Sequence, residues 1–167
     1  MDRDLYRLLA GSFPTGVCVV TTVDAAGQPK GLTTQSFIGL STEPPLMLIS
    51  VDRTSRTLPA LQHTRAFVIN FLKVGSEEVS TRFASKVADK FDGLRWKPAA
   101  AAMKAPVLVD HSVAYAECAV TEIIEAGDHL VFIARVEAGA VLGGAPLMYF
   151  HRTYAGWPEE QPAPSAL

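Results

Sequence analysis

Residues 112–142 constrain the fold more than any other part of the chain. Two long segments, Ser112 to Glu125 and His129 to Leu142, alternate apolar and polar side chains and are joined by Ala126-Gly127-Asp128. Alternation sends successive side chains to opposite faces of an extended strand, and a short Gly-Asp link lets two such strands return antiparallel. A long β-hairpin is the framework on which the rest of the chain has to build.

The other β signals are shorter. Thr15 to Val23 is dense in β-branched residues, Asp24-Ala25-Ala26-Gly27 reads as a turn, and Pro29 to Leu40 resumes extended character, so residues 15–40 are expected to form a second hairpin. Pro44-Pro45 opens a strand from Leu46 to Val51, apolar at nearly every position as a strand buried on both faces would be. Ala66 to Leu72 and Leu147 to Tyr154 add two more. Helical spacing of Leu5, Leu8, Leu9 and Phe13, closed by Gly11-Ser12 and Pro14, predicts a short helix over 4–13 with one face packed on the body. A second short helix is expected from Leu58 to His63. A third should run from an N-cap at Ser76 to about Ala84, with Glu77 and Glu78 favouring its first turn. Ser85 to Ala105 shows no period and is expected to be a long loop. About seven strands joined mostly by short turns predict a mainly β chain with short helices, an antiparallel β-barrel.

A chain of 167 residues, 49% of them hydrophobic, supports one core, so a single domain is expected over residues 1–157. Residues 158–167 carry Pro158, Pro162 and Pro164 among alanines and glutamates and are expected to be a flexible tail. The formal charge is −2, with 15 basic and 17 acidic residues spread along the length, which leaves no basic field for nucleic acid or an anionic membrane. Apolar runs such as Val17–Val20 fall far short of the roughly 20 residues of a membrane span, and Met1-Asp2-Arg3-Asp4 lacks a signal-peptide pattern, so a soluble cytoplasmic protein is expected. Cys18 and Cys118 sit inside apolar alternating stretches, the ordinary setting of a reduced core thiol. His63, His111, His129 and His151 lack the short spacing of a zinc site, and no metal is expected. Fingerprints of Rossmann dehydrogenases, P-loop proteins, serine hydrolases and zincins are all missing.

Four sets of residues offer more than one reading. Thr33, Thr34, Gln35 and Ser36 place four consecutive hydrogen-bonding side chains at the end of an apolar strand, either as a solvated strand face or as a docking site for something polar. Ser55, Arg56 and Thr57 offer two hydroxyls and a guanidinium at the start of a helix, where they serve as a cap or as an anion site. Arg82 near the end of the next helix is a surface cation or a second anion contact. His129, in Gly127-Asp128-His129, is a turn residue or a functional imidazole at a hairpin corner.

Taken in order, Phe13-Pro14-Thr15-Gly16-Val17, Gly31-Leu32-Thr33 through Ser36-Phe37, Glu43-Pro44-Pro45-Leu46, Arg82-Phe83-Ala84 with Asp89-Lys90-Phe91, Glu117-Cys118 and Gly127-Asp128-His129 resemble the short-chain flavin reductases, the reductase components of two-component flavin-dependent monooxygenases. The resemblance covers residues 4–155. It implies an FMN-binding split barrel, a homodimer, that takes hydride from NADH or NADPH, reduces FMN or FAD and supplies a partner monooxygenase. By residue, it implies that Thr33, Thr34, Gln35 and Ser36 lie along the isoalloxazine, that Ser55, Arg56, Thr57 and Arg82 approach the flavin phosphate, and that His129 stands near the nicotinamide. Gln35 occupies a position where the family often has a small residue or Asn. Two other classes compete: a flavin-binding or flavin-sensing protein without catalysis, and a related barrel oxidase acting on a small amine.

Overall fold

The structure, a computed structural model, describes residues 1–157; the tail expected over 158–167 lies outside the described residues. In chain order the elements are α1 (Arg3–Gly11), β1 (Thr15–Gly16), β2 (Cys18–Val23), β3 (Pro29–Thr34), β4 (Phe37–Thr42), β5 (Pro45–Asp52), α2 (Leu58–Thr64), β6 (Ala66–Leu72) and α3 (Glu77–Ala84). After them come β7 (Lys97–Pro98), β8 (Pro106–Val107), a 3-10 turn at Val109–His111, β9 (Ser112–Ala126), β10 (His129–Val141), β11 (Leu147–Phe150) and β12 (Thr153–Gly156). Among the described residues no helix is long and apolar enough to cross a membrane.

The long hairpin expected from the alternation is β9–β10, paired from His129 opposite Ala126 to Val141 opposite Ala114. Seven strands make one sheet in the order β3-β2-β6-β9-β10-β5-β4, each neighbouring pair antiparallel. Its two edges, β3 and β4, are consecutive in sequence, with only Gln35 and Ser36 between Thr34 and Phe37. Six strand spacings would part the edges of a flat sheet by about 29 Å, whereas three Cα steps reach about 11 Å at most. The sheet therefore has to roll until its edges face each other, and it becomes the expected antiparallel split barrel. Bulges between Ile133 and Ala134, Val136 and Ala138, and Gly39 and Ser41 supply local bend and twist for that closure.

Strands β2 and β6 are buried on both faces, which accounts for their density of β-branched and aromatic residues. Cys18, Val20, Phe67 and Ile69 point into the barrel with Ile49, Val51, Cys118 and Phe132. Val19 and Leu72 point outward against Phe83 of α3, Phe91, Leu108 and Leu147. Ala66 and Val68 are covered by Ala99, Ala102, Ala105 and Val107. Both cysteines are free and buried, and burial pushes each thiol up to about 12.

Several local expectations are corrected. Residues 29–40 are two strands on opposite sheet edges. Residues 147–154 are likewise two strands, β11 and β12, turned at His151 and Arg152, whose φ angles of 48° and 63° are left-handed without a glycine to mark them. β5 is not buried on both faces: Ile49 and Val51 are enclosed, while Leu46, Leu48 and Ser50 are half-buried. Within the expected loop 85–105, Lys97–Pro98 pairs with Pro106–Val107, and the alanines between them fill a small core. Ser76 does not cap α3 with its side chain; its Oγ lies 3.3 Å from His111 Nδ1. α1 forms, but none of its residues is buried by the rest of the described chain.

Candidate functional site

Where the barrel splits, the C-terminal ends of β3 and β5, the 53–57 turn, the 84–90 segment, the start of β10 and the β11–β12 hairpin enclose a cleft of about 520 Å³. That volume falls in the roughly 300–1,000 Å³ range of small-molecule sites. Its lining brings together Thr33, Thr34, Gln35, Ser36, Ser55, Arg56, Thr57 and His129 from three separate stretches of chain. Arg82 is not among the lining residues; it turns away to donate from Nη1 to the Asp92 carbonyl at 2.7 Å. Val17, Leu32, Phe83 and Ala84 supply apolar wall, and Tyr149 and Tyr154, stacked edge to face at 4.9 Å, close one side.

The polar run at the end of β3 divides into donors that hold the protein and donors left for a ligand. Thr33 Oγ1 donates to the Ser80 carbonyl at 2.6 Å, which ties β3 to α3, and Ser80 Oγ in turn bonds Tyr154 OH at 2.9 Å. Thr34 Oγ1 accepts the Ser36 N–H at 3.0 Å and shapes the two-residue crossing between sheet edges. The side chains of Gln35 and Ser36 are exposed to the cleft and make no hydrogen bond among the described residues. They present an amide and a hydroxyl, neutral donors on a short, sharply bent link.

The cations collect elsewhere. Arg56 donates from Nη2 to the Val87 carbonyl at 3.2 Å, and Lys90 Nζ donates to the carbonyls of Phe83 and Gly31 at 2.6 and 3.1 Å. Burial, and after it the charge of Arg56, holds the Lys90 ammonium below its usual value, so an anion at this end would relieve both. Lys86 lies in the same wall. Thr57, 4% exposed, has its hydroxyl committed to the Gly31 carbonyl at 2.9 Å, whereas Ser55 only accepts the Thr57 N–H at 3.3 Å and keeps its own O–H proton available. Lys86 and Lys90 were not singled out in the sequence, because the 85–105 stretch has no periodicity to place them. The Asp89-Lys90-Phe91 tripeptide was the only signal there.

At the hairpin corner His129 stands opposite Asp52 across β10 and β5. Its Nδ1 is 2.7 Å from Asp128 Oδ1, which leaves Nε2 for a ligand. That bond, and then the charge of the imidazole, holds the Asp128 carboxyl below the usual range. Asp52 is held low mainly by Thr54, whose hydroxyl and N–H both donate to Oδ1. Arg53 braces the corner from outside through the Gly127 carbonyl and Glu125. Taken as a whole, the cleft offers neutral donors on one stretch, cations on another, apolar walls between them and one imidazole at the rim. Such a set fits a planar heterocycle with a polar edge and a phosphorylated tail.

Comparison with known proteins agrees with that chemistry. Residues 10–158 match the family described as flavin reductase like domain. Over its full length the chain is 43% identical to a flavin reductase (NADH) of Kitasatospora aureofaciens, covering 88% of that protein. It is 34% identical to HsaB, the reductase subunit of a flavin-dependent monooxygenase of Mycobacterium tuberculosis, over 99% of this chain and 88% of the relative. Among solved structures, nitrilotriacetate monooxygenase component B from Mycobacterium thermoresistibile is similar with a TM-score of 0.89 at 33% identity, covering 99% of this chain and 92% of that one. The NADH:FAD oxidoreductase SgcE6 of Streptomyces globisporus C-1027, solved with NAD and FAD fragments, gives 0.88 at 29% identity over 95% and 94%.

Proposed function

The chain belongs to the flavin reductase like family, and on that premise we propose that its cleft is where NADH or NADPH reduces FMN or FAD for use by a partner flavin-dependent monooxygenase. The observation that carries the site assignment is the sorting of polar groups in one cleft, neutral donors at Gln35 and Ser36 and cations at Arg56, Lys86 and Lys90. Bound flavin supplies the redox chemistry, accepting hydride from the nicotinamide. The residues of the chain hold and orient. Gln35 and Ser36 would donate to the polar edge of the ring system, where neutral donors are enough to favour developing negative charge. Arg56 and the lysines would take the phosphate, with the Ser55 hydroxyl beside them. Thr33 and Thr57 act one step back, fixing α3 and β3 as walls. His129, pinned through Nδ1 by Asp128, would position the nicotinamide at the open rim, and Tyr149 and Tyr154 would exclude water from the opposite side.

The same reading includes a homodimer, since α1 carries Leu5, Leu8 and Leu9, each about half exposed or more, on a helix of which no residue is buried by the rest of the described chain. It also includes the cytoplasm, where two buried free thiols are at home. Aerobic oxidation of NADH and NADPH, followed with and without added FMN or FAD, tests the activity. Oxidation should depend on flavin; a protein that binds flavin yet oxidises neither nicotinamide would be a flavin carrier or sensor instead.

A further inference from the structure

We propose that the cleft continues past its cationic end into a site for the adenosine half of a dinucleotide, so that FAD rather than FMN is the flavin this chain is shaped to hold. The inference rests on reading the cleft as the flavin site. A second cavity of about 180 Å³ adjoins the first, and the two share Arg56, Thr57 and Lys90 as a common wall. Beyond that wall the lining changes character to Pro29, Val87, Ala88 and Phe91, apolar surfaces of a size suited to a purine rather than a second tricyclic ring.

The two cations at the junction are fixed posts. Arg56 is tied to the Val87 carbonyl, and Lys90 to the carbonyls of Gly31 and Phe83, which still leaves guanidinium N–H groups and one ammonium proton unassigned. A monophosphate ends a ligand and needs no second cavity beyond the cations that hold it. A diphosphate stands between two organic ends, and paired cations between two cavities match that layout. Inside the second cavity Asp89 Oδ1 accepts the N–H groups of Phe91 and Asp92 at 2.9 and 3.1 Å, while Oδ2 has no partner among the described residues. That oxygen is an acceptor for ribose hydroxyls or for the adenine amino group. Phe91 is held in place edge-on by Phe83, with ring centres 4.9 Å apart.

An adenosine diphosphate moiety could also come from the nicotinamide cofactor, so the test separates the two sources. Equilibrium titration of FMN and FAD, monitored by flavin fluorescence, is carried out on the wild-type chain and on Ala88→Trp, an exposed loop position that lines only the second cavity. The wild type should bind FAD about tenfold tighter than FMN or better. Ala88→Trp should bring FAD to the level of FMN and leave FMN binding and FMN-supported NADH oxidation within about twofold. On the wild-type chain alone, millimolar adenosine should raise the apparent Kd of FAD and not of FMN, which keeps the test independent of how well the tryptophan variant folds. Equal affinities for the two flavins with no effect of adenosine would overturn the proposal, as would a rise in the KM for NADH as the main effect of Ala88→Trp, which assigns the cavity to the nicotinamide cofactor. If neither flavin binds, the flavin reading of the cleft fails with it; if FMN binds and is reduced without any advantage for FAD, only the adenosine site is lost.

Discussion

Thr57 and Arg56 are neighbours in sequence and divide the work of one turn. The hydroxyl of Thr57 points inward to the Gly31 carbonyl, while the guanidinium of Arg56 stays on the cleft wall. Thr57→Ala should therefore cost stability, about 1 kcal/mol for a buried hydrogen bond, and should affect FMN and riboflavin alike. Arg56→Ala should leave the melting temperature nearly unchanged and weaken FMN about tenfold relative to riboflavin, the low end for a charge-assisted contact because the side chain is solvated. Parallel titrations with the two flavins decide it, and selective loss of FMN on changing Thr57 would put its hydroxyl on the phosphate after all. His129 makes a different prediction. Hydride passes between the cofactors without a proton from the protein, so His129→Ala should raise the apparent Kd for NADH in stopped-flow reduction, with a moderate fall in limiting rate and unchanged flavin affinity. A fall of roughly 10²–10⁴ in the limiting rate at unchanged NADH affinity would make it an obligatory acid.

At the scale of elements, β3 and α3 meet through Gly31, where an added Cβ would lie 2.6 Å from Phe83 Cε1 and 3.1 Å from the Val20 carbonyl. Gly31→Ala should destabilise the protein by about 1–3 kcal/mol, seen as a lower urea midpoint, because both Phe83 and the strand would have to shift. The turn that leads into β3 adds a pH prediction. Asp24 accepts the N–H groups of Gln28 and Ala26 and pairs with Lys30 at 3.2 Å; these contacts, the Gln28 bond foremost, hold its carboxyl below the usual range. A carboxyl depressed in the folded state stabilises above its ordinary value near 4 and stops doing so as pH falls through the folded value. Asp24→Asn should thus be less stable than wild type at pH 7, with the gap closing in urea titrations between pH 4 and the acid limit. Elements of this kind were legible because Asp-Ala-Ala-Gly announces a turn and period-two patterns announce strands. The β3–β4 break was not, since Thr33 to Ser36 are good strand residues and only the rolled sheet reveals that two of them cross its split. The β11–β12 turn was hidden for a related reason: His151 and Arg152 adopt left-handed φ without the glycine or asparagine that marks such turns. In the site, hydroxyl and amide residues could be picked out by type, but which hydroxyls face inward depends on partners such as Ser80 and Gly31 that lie far away in sequence.

For the whole molecule, the unresolved balance lies in α1. An isolated helix of nine residues is marginal in water and needs an apolar partner. Yet Leu5, Leu8, Leu9 and Phe13 are 49%, 65%, 56% and 73% exposed. The sequence pattern correctly announced an amphipathic helix, and among the described residues the body of the chain does not bury it. A second copy can, because the mouth of the barrel beside Phe13 is a largely apolar groove with Phe37, Phe71 and Leu147 in its walls. Gln35 lines this groove, the hollow under α1 and the candidate cleft, so covering one surface should steady the other. The wild-type chain should therefore run at twice 17.9 kDa in light scattering at micromolar concentration. Leu5→Glu with Leu9→Glu, two residues one helical turn apart on the same face, should give a monomer with less helical signal, and flavin affinity should fall with it because Gln35 loses its support. Full activity and full flavin affinity in a wild-type protein of 17.9 kDa would show that α1 covers nothing and that the cleft stands complete within one chain.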